Sequence, residues 1–341
     1  MKKNNFLAVL PSDDKWLTGG IFYDYELMSV LRITNIFKIT SSRKNDYIGI
    51  FNFFKKNIVK DKVNIVVIDA ASIIYLLPII ILKKYYNFKL ITLHMHLQGK
   101  ENSLKQDLFK WAIINLSNKI ITISEYSNRE LFPKKADLII YPPLRIIEKK
   151  PIAVSNSKKI SILFVGSIIR RKNIQFLIEL MDVLDDRFEL VICGNISDDV
   201  YYNELTFLIN KYNVEGRVIF TGKVSDEELA MQYNLADIFI FPSILEGFGM
   251  VNIEAMYLGI PVFASDVGPH REIIDDNIDG FLFDVNNIIL LKNRINNFVS
   301  DPQLKEKISI NAKKKAESFI WYKNKILKEF DNMIDHKEIN C

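Results

Sequence analysis

The chain has 341 residues, 49% of them hydrophobic and 25% charged, with 45 Lys+Arg against 41 Asp+Glu and a formal net charge of +4. That length suits two domains, and the composition excludes a disordered chain, a collagenous one and a small disulfide scaffold. Two cysteines, Cys193 and Cys341, supply neither a disulfide framework nor a zinc-ligand spacing. Cys193 ends an apolar run and reads as a buried thiol in a reducing compartment.

From the N-terminus, Met1-Lys2-Lys3 precedes only five apolar residues before Pro11, Asp13 and Asp14. That is too short for a secretory leader, so residues 6–10 read as a first β-strand. Further strands are expected at 65–68, 90–93, 119–123 and 138–141, with helices at 22–32, 73–85, 104–116 and 127–131. The longest apolar run, 70–82, contains Pro78 and is too short to cross a bilayer as a helix. Residues 146–159 turn to Lys, Pro, Ser and Asn, a linker composition. The alternation then restarts with strands at 160–165, 188–193, 218–221, 238–241 and 262–265. Helices are expected at 174–184, 202–212, 226–234 and 249–258, and one or two more after Asp301-Pro302. Alternating strands and helices predict an α/β protein of two parallel-sheet, Rossmann-like domains, 1–150 and 151–321, facing a cleft. The net charge conceals a polarity: residues 1–150 carry +11 and residues 151–341 carry −7.

The segment 241–261 holds the most chemistry. A strand runs into a loop with Glu246, Gly247, Phe248 and Gly249, and a helix opens at Met250 and is stopped by Gly259 and Pro261. The unpaired N–H groups at such a helix start suit a phosphate. Glu254 lies in the helix about 7 Å further along its axis. Two carboxylates so placed can accept hydrogen bonds at different points of one polyhydroxylated ligand. A second constellation is strand 160–165, Gly166, Ser167 and the basic run Arg170-Arg171-Lys172 ahead of a helix. Cations are unfavourable at a helix N-terminus, so the run implies a negative partner such as a diphosphate. In the first half, Thr18-Gly19-Gly20 precedes a helix, and His94 ends a strand, where side chains point into the cleft.

These residues in register resemble the retaining glycosyltransferase family 4. Glu246 and Glu254 match its Glu-x7-Glu motif; Ala236-Asp237 with Pro242-Ser243 resembles the lead-in, and Glu254-Ala255-Met256 with Gly259-Ile260-Pro261-Val262 the exit. The resemblance implies the GT-B fold, with a terminal helix, 322–341, packed back on the first domain. It implies Arg171 and Lys172 as ligands of the donor diphosphate, Gly19 and Gly20 near donor phosphate and acceptor, and His94 at the donor sugar. Glu246 would hold the sugar's hydroxyls and Glu254 the nucleotide ribose. Many members carry Arg directly after the glycine where this chain has Ser167. The segment 121–127 is similar to a family stretch and offers Ser124 as a helix cap.

The expected reaction is sugar transfer from a nucleotide-diphosphate donor, a UDP- or GDP-sugar, to an acceptor hydroxyl with retention and without a metal. An alanine at Glu246 or Lys172 is expected to stop it while leaving the fold intact. The rival readings are an epimerase or phosphorylase of the same fold, and a silent nucleotide- or carbohydrate-binding subunit. No Asp-x-Asp, Gly-x-Gly-x-x-Gly after the first strand or Gly-x4-Gly-Lys-Ser/Thr occurs, which argues against the other glycosyltransferase fold, a dehydrogenase and a P-loop ATPase. The basic first half suggests an anionic membrane surface and a glycan or lipid-linked acceptor in cell-envelope assembly, rather than nucleic acid. The expected location is cytoplasmic, peripheral on the inner face of the plasma membrane.

Overall fold

Strands buried at every position, such as Asn64–Asp69 and Ile238–Phe241, belong inside a parallel sheet covered by helices on both faces. The computed structural model contains two such sheets. It describes residues 4–12, 19–40, 46–70, 76–95, 111–112, 114–147 and 159–335. The chain divides into two compact units, one of Met1–Pro143 with Trp321–Cys341, the other of Leu144–Ile320.

The first unit runs β1 Asn5–Pro11, α1 Gly19–Val30, β2 Ile36–Ile39, α2 Tyr47–Asn57, β3 Asn64–Asp69, α3 Leu76–Tyr85, β4 Phe88–His94, β5 Lys119–Thr122, α4 Glu125–Arg129 and β6 Leu138–Ile139. Its strands are parallel in the order β2-β1-β3-β4-β5-β6. Leu7, Val9, Val66 and Ile68 of the sheet pack against Ile50 and Phe54 of α2 and Ile79 and Leu82 of α3.

The second unit runs β7 Ile160–Val165, a 3-10 turn Arg170–Lys172, α5 Ile174–Val183, β8 Phe188–Cys193, α6 Asp199–Lys211, β9 Val218–Gly222, α7 Asp226–Leu235 and β10 Ile238–Phe241. It continues with α8 Met250–Tyr257, β11 Val262–Ser265, α9 His270–Ile273, β12 Phe281–Phe283, α10 Ile288–Val299 and α11 Pro302–Glu317. The strand order β12-β11-β10-β7-β8-β9 is that of a Rossmann sheet, reversing between β7 and β10.

The last helix, α12 Lys323–Asp335, belongs to the first unit and packs on α1 and β6. The Trp321 indole N–H donates to the Tyr141 carbonyl at 2.6 Å and its ring meets Tyr23 edge-on at 5.8 Å. Phe330 lies 6.0 Å from Phe6. The unit boundary falls at 143/144, so the second unit begins two residues before the linker composition, because Leu144 is already hydrogen-bonded to Phe319 (3.2 Å). Residues 148–158 of that linker lie outside the described residues.

The main differences from the sequence reading are short or edge elements. β2 and β12 have only four and three residues, too few to establish a period. α2 was absent from that reading, and α6 begins at Asp199, three residues early, because the Asp198 carboxylate accepts the Tyr201 N–H and caps it. Ser124 does cap a helix, accepting the Ser127 N–H at 3.0 Å, so α4 starts two residues earlier than expected. Most of the helix expected at 104–116 lies outside the described residues. Cys193 is buried with a free thiol; Cys341 lies outside the described residues.

One glycine fixes how β7 and β8 end. A Cβ at Gly194 would stand 1.8 Å from the Gly166 carbonyl oxygen, a clash of backbone with backbone that no rotamer can relieve. Gly194→Ala is expected to destabilise the second unit by at least about 2 kcal/mol, measured by urea unfolding with far-UV circular dichroism.

Candidate functional site

Where strand order reverses in an open parallel sheet, the loops leaving the two strands diverge, and ligands bind beyond the carboxyl ends. In the second unit that point lies between β7 and β10. The loops leaving them are 166–173 and 242–249, the two stretches singled out in the sequence.

These loops are bonded to each other. The Ile244 N–H donates to the Arg171 carbonyl (2.9 Å). The Ser243 hydroxyl reaches both that carbonyl (3.1 Å) and the carbonyl of Leu245 (3.0 Å). The Arg171 guanidinium donates back to the Leu245 carbonyl at 3.1 Å. At the centre, the Lys172 ammonium donates to Glu246 Oε2, which also lies 3.4 Å from Arg171 Nη1. Lys172 and Glu246 side chains are each only 11% exposed. The ammonium sits 4.5 Å above the centre of the Phe241 ring, whose negative face favours a cation. Phe241 itself stacks on Phe164 at 5.8 Å and meets the His270 ring edge-on at 5.6 Å.

Burial by itself would raise the Glu246 carboxyl, but the Lys172 and Arg171 charges and the Lys172 hydrogen bond outweigh it and hold the group at about 2. Burial pushes the Lys172 ammonium down, against the pull of Glu246. These two tendencies oppose each other, and the direct contact between the groups decides for the ion pair. Burial also pushes His270 down, keeping it neutral, with Nδ1 2.7 Å from the Ser265 carbonyl and therefore protonated at that nitrogen. Nε2 then carries the lone pair. It lies with the Asn252 amide around Gly249; none of these side-chain atoms has a hydrogen-bond partner among the described residues. Gly249 has φ +96°, and a Cβ there would sit 2.9 Å from Asn252 Nδ2 and 3.1 Å from His270 Nε2. Glycine is required both by conformation and by space.

Glu254, the fifth residue of α8, lies in a different environment. Its Oε2 accepts the Tyr233 hydroxyl at 2.9 Å, and the residue is 6% exposed. Burial pushes the carboxyl up to about 7, against the Tyr233 hydrogen bond and the nearby charge of Arg145. Arg145 is itself paired with Asp226 at the start of α7.

The structure thus gathers Gly166, Arg171, Lys172, Glu246, Gly247, Phe248, Gly249, Met250 and Glu254 on the strand-end side of one unit. It corrects four expectations. The basic run does not lack an anion: Lys172 and Arg171 share Glu246, and Arg170 pairs with Glu204. An alanine at Glu246 or Lys172 is not structurally silent, since it strands a buried charge. His94 ends β4 but is 1% exposed, its Nε2 3.9 Å from Glu130 Oε2, so it faces a carboxylate within the first unit rather than open solvent. Gly19 and Gly20 are the first residues of α1 and not a loop before it; among the described residues a Cβ on Gly20 would meet only Met95, at ordinary contact distance. Sequence reading missed Tyr233, Arg145, His270 and Gly194. Only Gly194, directly after a strand, carried a signal that could have found it.

Two parallel six-stranded α/β sheets, each in its own unit, match the fold of GT-B proteins. Anabaena HepE, solved with UDP and glucose, shares the fold at a TM-score of 0.76 over 98% of this chain and 100% of that one, at 17% identity. The family described as glycosyl transferases group 1 matches residues 145–315, and the chain belongs to it. The uncharacterized glycosyltransferase MJ1178 of Methanocaldococcus jannaschii is 30% identical over 226 residues, 65% of this chain and 61% of that protein. The O-antigen chain mannosyltransferase B of Escherichia coli is 29% identical over 226 residues, 59% of this chain and 57% of that protein. Both matches span less than two thirds of the relative's own length.

Two measurements check the electrostatics. Lys172→Met is expected to cost about 3 kcal/mol by leaving Glu246 buried beside Arg171 alone, and adding Glu246→Gln should recover most of it; a urea-unfolding double-mutant cycle reads the coupling. Glu254 holds its proton more tightly folded, at about 7, than its ordinary 4.5. Its contribution to stability is therefore complete below about 4.5 and lost as pH rises through about 7, at most ~3 kcal/mol. Glu254→Gln should flatten that decline, seen as a melting temperature that changes less than wild type between about pH 5 and about pH 8.

Proposed function

We propose that the chain is a glycosyltransferase that moves a sugar from a nucleoside-diphosphate donor to an acceptor hydroxyl with retention at the anomeric carbon. The observation that carries this is the Arg171–Lys172–Glu246 cluster locked between the two loops at the sheet's switch point. In the reaction the bond from the anomeric carbon to the diphosphate oxygen breaks, and a bond to the acceptor oxygen forms on the same face. The acceptor's proton leaves with the diphosphate or through solvent. Charge accumulates on the departing diphosphate.

Lys172 and Arg171 are placed to meet that charge. The ammonium has three N–H donors, so it can keep Glu246 and still reach a phosphate oxygen. The N–H groups of Phe248, Gly249 and Met250 at the start of α8 add donors without needing to reorganise. In this reading the neutralisation needs no metal. Glu246, held ionised, accepts hydrogen bonds from the donor sugar's hydroxyls and is fixed in place by the cations beside it. Glu254 accepts from the ribose, with Tyr233 holding its other side. Gly166 gives the diphosphate room at the end of β7.

UDP- and GDP-sugars are the favoured donors; UDP and glucose are bound in the HepE structure, and a mannosyltransferase is among the relatives. A glycan or lipid-linked acceptor in cell-surface polysaccharide, lipopolysaccharide or glycolipid assembly fits the O-antigen relative and the basic first unit. The protein then works in the cytoplasm at the inner face of the plasma membrane. Among the described residues no helix is long and apolar enough to cross a membrane.

A thermal-shift screen against UDP-, GDP-, ADP- and CMP-sugars tests the donor half: the right one, at a hundred times its dissociation constant, should stabilise by about 2.7 kcal/mol. Glu246→Gln keeps shape and removes charge, and should lower turnover about 100-fold or more while donor still shifts the melting curve. No response to any nucleotide sugar would refute the assignment.

A further inference from the structure

Helices α2 and α3 pack side by side on the sheet of the first unit, and each buries one face: Ile50 and Phe54 from α2, Ile79 and Leu82 from α3. Their opposite faces are not polar. On α2, Ile48 is 77% exposed and Phe51 41%; on α3, Ile81 is 42% exposed and Tyr85 73%. Beside these apolar tips stand Lys55 and Lys56 on α2 and Lys84 on α3, which form no ion pair among the described residues. Lys83, by contrast, is committed to the Leu116 carbonyl and Asn118. Neither helix contains an acidic residue. Trp111 is 65% exposed, and its neighbours Ala112 and Leu116 pack on the same core cluster.

We propose that this face of α2 and α3 is the surface by which the protein docks on an anionic lipid bilayer. A lone exposed isoleucine is ordinary, and lysines at helix C-termini complement the helix dipole. Neither explanation accounts for large apolar side chains on two adjacent helices interleaved with unpaired lysines and no acid. That combination is what an interfacial helix uses: apolar tips enter the boundary of the acyl chains while cations meet anionic headgroups. The charge of the whole unit points the same way. With boundaries set by the structure, Met1–Pro143 with Trp321–Cys341 carries 25 Lys+Arg against 16 Asp+Glu, +9, and Leu144–Ile320 carries 20 against 25, −5. An aqueous acidic partner would satisfy the lysines but not the apolar tips; a bilayer satisfies both.

The proposal takes its direction from the membrane-linked acceptor argued above and not from the donor chemistry, so the two fail separately. Sedimentation with vesicles of phosphatidylcholine alone, and with phosphatidylglycerol as the minority lipid, reads the first. Nucleotide-sugar thermal shift without vesicles reads the second. The full chain should pellet with the anionic vesicles, release with added salt, and show a blue shift of tryptophan emission that Trp111→Phe removes. Lys55→Glu/Lys84→Glu should weaken vesicle binding at least tenfold, and Phe51→Ser/Tyr85→Ser should weaken it at low salt too. Both double variants should keep the wild-type melting temperature and donor response, since all four side chains are on the surface. Wild type that stays in the supernatant with both vesicle types overturns the proposal. So does vesicle binding that neither double variant changes. A wild-type dimer in solution that Lys55→Glu/Lys84→Glu converts to a monomer, with no vesicle binding, would assign the face to a second copy instead.

Discussion

The second unit is organised around a buried ion pair. Lys172 and Glu246 stand 74 positions apart in sequence, and removing both charges from water is costly unless each finds compensation nearby. Here the compensation is assembled from everything around them: the Phe241 face under the ammonium, Arg171 beside the same carboxylate oxygen, and the Ser243 hydroxyl bracing the loop. Breaking any member leaves the others with an uncompensated charge or an unpaired polar group. That coupling makes two loops from different strands behave as one rigid piece, and such rigidity is what a site for a charged ligand needs.

Two glutamates eight positions apart end up in opposite states. Glu246 lies among cations and is held at about 2; Glu254 lies among buried aromatic and apolar groups with one hydroxyl donor and is pushed to about 7. Both are largely removed from water, so the difference comes from what burial places beside them. Glu246 is thereby charged at any ordinary pH, while Glu254 changes its charge near neutrality. A ligand hydroxyl arriving at Glu254 would add a donor and favour the charged form, which links ligand binding to proton release at that carboxylate.

The two units also differ in kind. The first, +9, exposes apolar and basic side chains on α2 and α3; the second, −5, keeps Lys172 inside a cluster and presents an acidic exterior. Similar α/β architectures therefore carry different surface chemistry, as expected when fold is set by the buried face of each element and function by what remains outside.

The sequence by itself determined the α/β class, both parallel sheets, most strand positions to within a residue or two, and the Glu-x7-Glu segment with its glycines. Each of these is written locally: in short apolar runs, in caps such as Ser124, and in glycine–proline stops. It also marked Arg171 and Lys172, though not what they pair with. Edge strands β2 and β12 were too short to show a period. Only the tertiary structure decided that Glu246 is the anion of the basic run, that Tyr233 holds Glu254, that His270 closes around Gly249, and that Gly194 must lack a side chain. Those relations join residues 21 to 75 positions apart, on separate strands and helices. Pairing, burial and ionisation depend on distance in space, which no local pattern of residues encodes.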